Sequence, residues 1–130
     1  MQQQDQNKEF LLNYFNALRT DGKSIEILEK YMTDEALIGH IEFFEKVFPG
    51  YDVIAGEMTA EDNRVVVSCR LKGTHLGELN GIAPTYKEVN VPFVISYQIE
   101  NNKIASHWML VDQMSLMQQL DVVPTAQAAH

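Results

Sequence analysis

Cysteine is nearly absent. Cys69 stands alone in 130 residues, which excludes an intrachain disulfide and a thiolate zinc cage. Histidine is limited to four residues, and their spacing suggests no metal site. Long apolar runs are missing too: no segment approaches the roughly 18 apolar residues of a membrane-spanning helix, so no membrane partner is expected. Basic residues are outnumbered, since 10 Lys and Arg against 18 Asp and Glu leave a formal charge of -8. Such a surface repels polyanions on average, and nucleic acid is not an expected partner. Residues Met1 to Gln6 carry neither the basic start nor the apolar core of a secretory signal, so a cytoplasmic location is expected.

What is present is ordinary for a globular chain. The apolar content is 45%, and the length gives room for one domain with one core. The polar ends, about residues 1–6 and 125–130, are expected to be flexible. Phe10, Tyr14 and Leu18 form a stripe, with Leu11 and Phe15 beside it, which predicts a helix from about Asn7 to Thr20. Gly22 suits the end of that helix. Ser24 can cap a short second helix carrying Ile25, Leu28 and Met32. Thr33 or Asp34 can cap a third, whose apolar face is Leu37, Ile41, Phe44 and Phe48, and Pro49-Gly50 ends it.

After Gly50 the period changes. Strands are predicted over Tyr51–Met58, Arg64–Thr74, Glu88–Ile99 and Lys103 to about Asp112. Val89, Val91, Phe93, Ile95, Tyr97 and Ile99 alternate strictly in the third. Asn101-Asn102 suits a tight hairpin, because Asn tolerates positive φ. Met114 to Leu120 can form a final helical turn. Helices followed by an antiparallel meander make an α+β fold. Four strands cannot hide a sheet face alone, so the helices must cover one. A curved antiparallel sheet wrapped over the N-terminal helices gives a cone-shaped α+β barrel with an apolar pocket.

Several spaced motifs occur in one order: Phe48-Pro49-Gly50-Tyr51, Arg70-Leu71-Lys72-Gly73-Thr74-His75-Leu76-Gly77 and Gly81-Ile82-Ala83-Pro84-Thr85. The clearest is Lys103-Ile104-Ala105-Ser106-His107-Trp108-Met109-Leu110-Val111-Asp112, followed by Gln118-Gln119-Leu120. Together they resemble the SnoaL-like polyketide cyclase family, within the nuclear transport factor 2-like (cystatin-like α+β) superfamily. The resemblance covers roughly the last two-thirds of the chain. It implies a cone-shaped pocket for a small hydrophobic molecule, no metal or organic cofactor, and ring closure by intramolecular aldol addition. It also implies an acidic general acid/base near the end of the last strands, which here is Asp112. The sequence departs from the family pattern at Met109, where many members have a second Asp, and at Tyr86, where many have Gly. The segment Thr33 to Gly39 is short where many members carry a polar pocket residue, often His. His40 is placed to stand in for it.

Aldol closure needs a base beside a carbonyl and donors for the developing enolate oxygen. Asp112 lies in an apolar run, and burial would raise its pKa toward useful values. The same residue can instead cap the short C-terminal helix. His75 and His107 could donate to an oxyanion or shuttle a proton, or each could be a half-buried histidine bonded to backbone. His107 and Asp112 are five positions apart, so a regular strand sends them to opposite faces. Arg70 is expected slightly in favour of the pocket, where it would need a partner, over a solvated outer face. Tyr14, Phe44 and Trp108 are expected in the pocket wall, with Tyr14 able to supply a phenol donor. A ligand-binding protein without turnover is the competing reading. The Glu88–Ile99 strand, with Pro92, Val94 and Ser96 on its second face, could also form a homodimer seam.

Overall fold

The computed structural model describes residues 3–122. Its elements run α1 (Gln3–Thr20), α2 (Ile25–Tyr31), α3 (Glu35–Val47), β1 (Asp52–Glu61), β2 (Arg64–Thr74), β3 (Glu88–Glu100), β4 (Lys103–Val111) and α4 (Gln113–Gln119). The strands form one antiparallel sheet in the order β1-β2-β3-β4. This is the expected α+β fold. Among the described residues, no helix is long and apolar enough to cross a membrane.

Local signals place most boundaries. Ser24 and Asp34 cap α2 and α3 by accepting hydrogen bonds from Ile27 N–H and Leu37 N–H. Asn101 and Asn102 both take positive φ, which turns β3 into β4 in two residues. β1 runs on to Glu61, so its hairpin turn is Asp62-Asn63 and not the longer Ala60–Asn63 segment.

Helix α1 starts four residues before the Asn7 that its apolar stripe predicts. The helix begins at Gln3, because buried Asn7 donates through Nδ2 to the Asp62 carbonyl at 3.2 Å and accepts from Gln3. That anchor lies 55 residues away in the chain and has no local signature. The expected flexible segment 125–130 lies outside the described residues.

One face of the sheet is covered by α1, α3 and α4. Val65, Val67, Cys69 and Leu71 on β2 and Val89 to Ile99 on β3 point into it at period two, and all are buried. β4 does not keep a simple alternation. Ile99 pairs with Ile104, but Gln98 pairs with Ser106, so Ala105 is an extra residue. This bulge shifts the phase of everything after it by one. His107, Met109 and Val111 therefore turn toward the helices, while Trp108 and Leu110 turn outward.

Candidate functional site

Between the sheet and the helices lies a cavity of about 50 Å³. Helices α1 and α3 supply Tyr14, Phe15, Leu18, Leu37, His40, Ile41 and Phe44. The sheet supplies Val53, Leu71, Val91, Phe93, Ile95, Tyr97, Met109 and Val111. Phe48, Tyr51 and Leu116 complete the lining. The volume exceeds what one ordered water requires, and the wall offers water few partners. Polar side chains among these residues are Tyr14, His40, Tyr51 and Tyr97.

The Tyr14 and Tyr97 rings meet edge to face at 6.2 Å, and Tyr51 packs against Phe44. Burial pushes the Tyr14, Tyr51 and Tyr97 phenols well above the ordinary value of 10.0. The neighbouring ionisable groups add to this: Tyr51 and Cys69 for Tyr14, Glu45 for Tyr51, and Tyr14, Cys69 and Tyr51 for Tyr97. Burial also pushes the Cys69 thiol up to about 12, which leaves it protonated and unreactive at neutral pH. The phenols are thus donors across the physiological range.

Below about pH 10 the phenols are protonated in folded and unfolded chains alike, so stability is unaffected. Above it the unfolded chain releases these protons and the folded chain keeps them. Stability then falls as pH rises, by about 1.4 kcal/mol per unit for each phenol. Tyrosinate absorbance from these three residues should appear together with the loss of far-ultraviolet ellipticity. Their titration ahead of unfolding would show that water reaches them freely.

A second polar cluster stands beside the cavity. Asp34 Oδ1 accepts the α3 capping bond from Leu37 N–H at 3.0 Å, and Asp34 Oδ2 lies 2.6 Å from His107 Nδ1. Both side chains are more than nine-tenths buried. A carboxylate only accepts, so the Nδ1 of His107 is the donor in this contact. The His40 ring sits edge-on to His107, 5.5 Å between centroids. His40 lines the cavity with one side and is otherwise open to solvent. Backbone pairing of Met32 with Ile104, and Thr33 N–H to Ile104 O at 2.9 Å, brings Asp34 alongside β4. Among the described residues no three His, Cys, Asp or Glu side chains gather as metal ligands.

The other expected site residues lie elsewhere. Asp112 is exposed and caps α4, accepting from Ser115 N–H at 2.9 Å, and it is not among the cavity-lining residues. Its place one residue past β4, opposite in phase to His107, keeps the two apart. Arg70 lies on the outer face, where its guanidinium bonds Asn90, because Cys69 and Leu71 take the inward positions of β2. Trp108 is 54% exposed on the same side, turned out by the Ala105 bulge. His75 is fully buried but does not line the cavity. Its Nδ1 accepts from Thr85 N–H at 3.2 Å and contacts Thr85 Oγ1 at 3.0 Å, which pins the loop between β2 and β3. Its Nε2 has no partner among the described residues. Tyr14 and Phe44 do line the cavity. Asp34 was visible in the sequence only as a helix cap.

The SnoaL-like polyketide cyclase model matches residues 24–120. The chain belongs to that family. Family membership agrees with solved structures of the same fold. AclR from Streptomyces galilaeus, a proposed hydroxylase, superposes with a TM-score of 0.78 at 22% identity, over 93% of this chain and 99% of that one. A proposed SnoaL-like polyketide cyclase from Jannaschia sp. CCS1 gives 0.77 at 22%, over 93% and 95%. IdmH from Streptomyces antibioticus, a proposed polyketide cyclase, gives 0.74 at 18%, over 90% and 99%. No curated protein matches the sequence. At these identities the likeness speaks for the SnoaL-like fold, while the chemistry has to be argued from this chain's own side chains.

Proposed function

We propose that this SnoaL-like protein is a cofactor-independent cyclase or isomerase that acts on a small hydrophobic carbonyl compound by general acid/base chemistry. The observation that carries this reading is the buried Asp34–His107 pair standing against His40 in the cavity wall. His40 is the group that touches the ligand and takes the proton next to its carbonyl. His107 is a positioning residue, its basic Nε2 held in one tautomer by Asp34, as a carboxylate orients a catalytic imidazole. An apolar wall keeps water from competing for the carbanion. The cavity is small beside the 300–1,000 Å³ typical of ligand sites, so a ring-sized ligand requires aromatic side chains such as Phe44 to swing aside. That same smallness and apolarity favour, as the second reading, a binding protein that holds its ligand without turnover.

The test is α-deuterium exchange of 1-tetralone in heavy water. The wild type should accelerate exchange. His40→Gln and His107→Asn should each lower the rate by about a hundredfold or more. Asp112→Asn should leave it unchanged. Loss of exchange in Asp112→Asn with retention in His40→Gln would overturn the assignment. A wild type that binds the ketone without accelerating exchange would favour the binding reading.

A further inference from the structure

We infer that α4 is a lid on the cavity, latched shut by the side-chain amide of Gln119, and that its opening admits the ligand. This deepens the proposed function by naming the route into the site, and it rests on that reading for the role of the cavity. A cavity of about 50 Å³ is too small for a ring, so a wall has to move before one enters. The walls are not equally fixed. Helix α1 buries six of its 18 residues, and α3 buries four of its 13. The strands are tied to one another in a single sheet. Helix α4 has seven residues and one buried side chain, Leu116, which lines the cavity. Buried Leu120 follows just past its end. Of the helices that wall the cavity, α4 therefore has the least buried surface to give up on moving.

The latch begins with a proline. Strand β4 ends at Val111, and the Asp112 N–H still reaches Pro92 O at 3.1 Å. Pro92 has no N–H to return a bond, so the β3–β4 ladder stops there. By the two-residue period of a strand, the next β3 residue facing that edge is Asn90. Gln119 fills both of its backbone groups. Oε1 accepts from Asn90 N–H at 2.6 Å, and Nε2 donates to Asn90 O at 2.9 Å. Nε2 also donates to Ser115 Oγ at 2.9 Å, one turn back, which holds the amide in place on its own helix. The side chain thus stands in for one residue of a partner strand. It fixes the C-terminal end of α4 over the sheet, and Asp112, the single residue between β4 and α4, is left as the hinge. Asn90 is half-buried and borders a polar groove with Lys72, Thr74 and Glu88. When α4 lifts, water takes the place of the amide there. Exchanging one set of hydrogen bonds for another keeps the latch weak enough to release. Leu116 leaves the cavity wall with it.

Two measurements test the lid. The first is amide hydrogen exchange of the free protein in low urea. The Asn90, Leu116 and Leu120 amides bond to Gln119 Oε1, Asp112 O and Leu116 O. They should share one opening that is nearly insensitive to urea, because little surface is exposed. The Ile95 and Tyr97 amides of β3 should exchange only through the urea-sensitive global unfolding. The second is stopped-flow fluorescence with prodan, a small naphthyl ketone. Gln119→Met keeps the side-chain length and removes both bonds to Asn90. It should speed prodan association and dissociation by the same factor, roughly tenfold, with the dissociation constant kept within about twofold. Equal changes in both rates are the mark of a gate, whereas a damaged wall changes the affinity. Gln118→Met, at the exposed neighbour, should bind and release prodan as the wild type does. Wild-type rates in Gln119→Met, a changed affinity with one rate unaltered, or α4 amides that exchange only together with Ile95 would each overturn the lid. Failure of the wild type to bind prodan up to its solubility limit would overturn the ligand-site reading instead, and exchange in the free protein keeps that failure distinct from failure of the latch.

Discussion

Asp34→Ala should lower the free energy of unfolding by about 2–4 kcal/mol, the sum of a lost helix cap and a lost charge-assisted hydrogen bond to a buried imidazole. The cap alone is worth roughly 1 kcal/mol. Asp112→Ala removes only a cap, on an exposed helix end, and should cost about that single increment. Urea unfolding of the two variants separates the cases, and equal midpoints would show that the Asp34–His107 contact contributes nothing. Asp34→Asn is the sharper probe. Asparagine caps as well as aspartate, so α3 keeps its start. Its amide, however, can donate to His107 Nδ1, which moves the imidazole proton to Nε2 and removes the basic lone pair. This variant should fold with a smaller loss than Asp34→Ala and still lose most of any exchange activity. A fully active Asp34→Asn would remove the tautomer argument.

Gly77→Ala should be among the most destabilising single substitutions in the chain, at about 3 kcal/mol or more. An added Cβ would lie 2.0 Å from the Lys46 carbonyl oxygen and 2.9 Å from its carbon. Both obstacles are backbone, so no side chain can turn away. Relief requires breaking the bonds that Leu76 N–H and Gly77 N–H make to Val47 O, each 3.0 Å. Those bonds hold the loop after β2 against the end of α3, next to the cavity-lining Phe48. The damage should therefore reach the cavity as well as the loop. Gly39→Ala is the matched control. Gly39 lies within α3 with nothing near its added Cβ, and alanine there should stabilise by about 0.5–1 kcal/mol. Thermal unfolding of both checks the contrast, and a Gly77→Ala midpoint near wild type would mean the loop re-docks without cost.

The elements were legible because their signals are local. Ser24 and Asp34 cap the residues next to them, the Asn101-Asn102 turn reverses the chain in two residues, and β3 alternates from Val89 to Ile99 without interruption. The motif order from Phe48 to Leu120 was likewise sufficient for the SnoaL-like family, which the match over residues 24–120 shows. Tyr14 and Phe44 could be placed inside because helical spacing puts them on buried stripes.

The polar side chains were a different problem. Arg70 could be read as inward only while the pleat phase of β2 was unknown, and its neighbours Cys69 and Leu71 fix that phase once the sheet is assembled. Trp108 illustrates the difficulty more sharply. Counting by two from buried Ile104 puts Trp108 inward, and one extra residue at Ala105 reverses it. A bulge of this kind depends on pairing with β3, so no window of β4 alone reveals it. The same bulge turns His107 toward Asp34, a partner 73 residues away. Helices, strands, family and the apolar character of the interior were thus determined by the sequence itself, since periodicity and capping act over a few residues. Which acid meets which histidine was decided only by the tertiary structure, because a one-residue shift in strand register moves every following side chain to the other face.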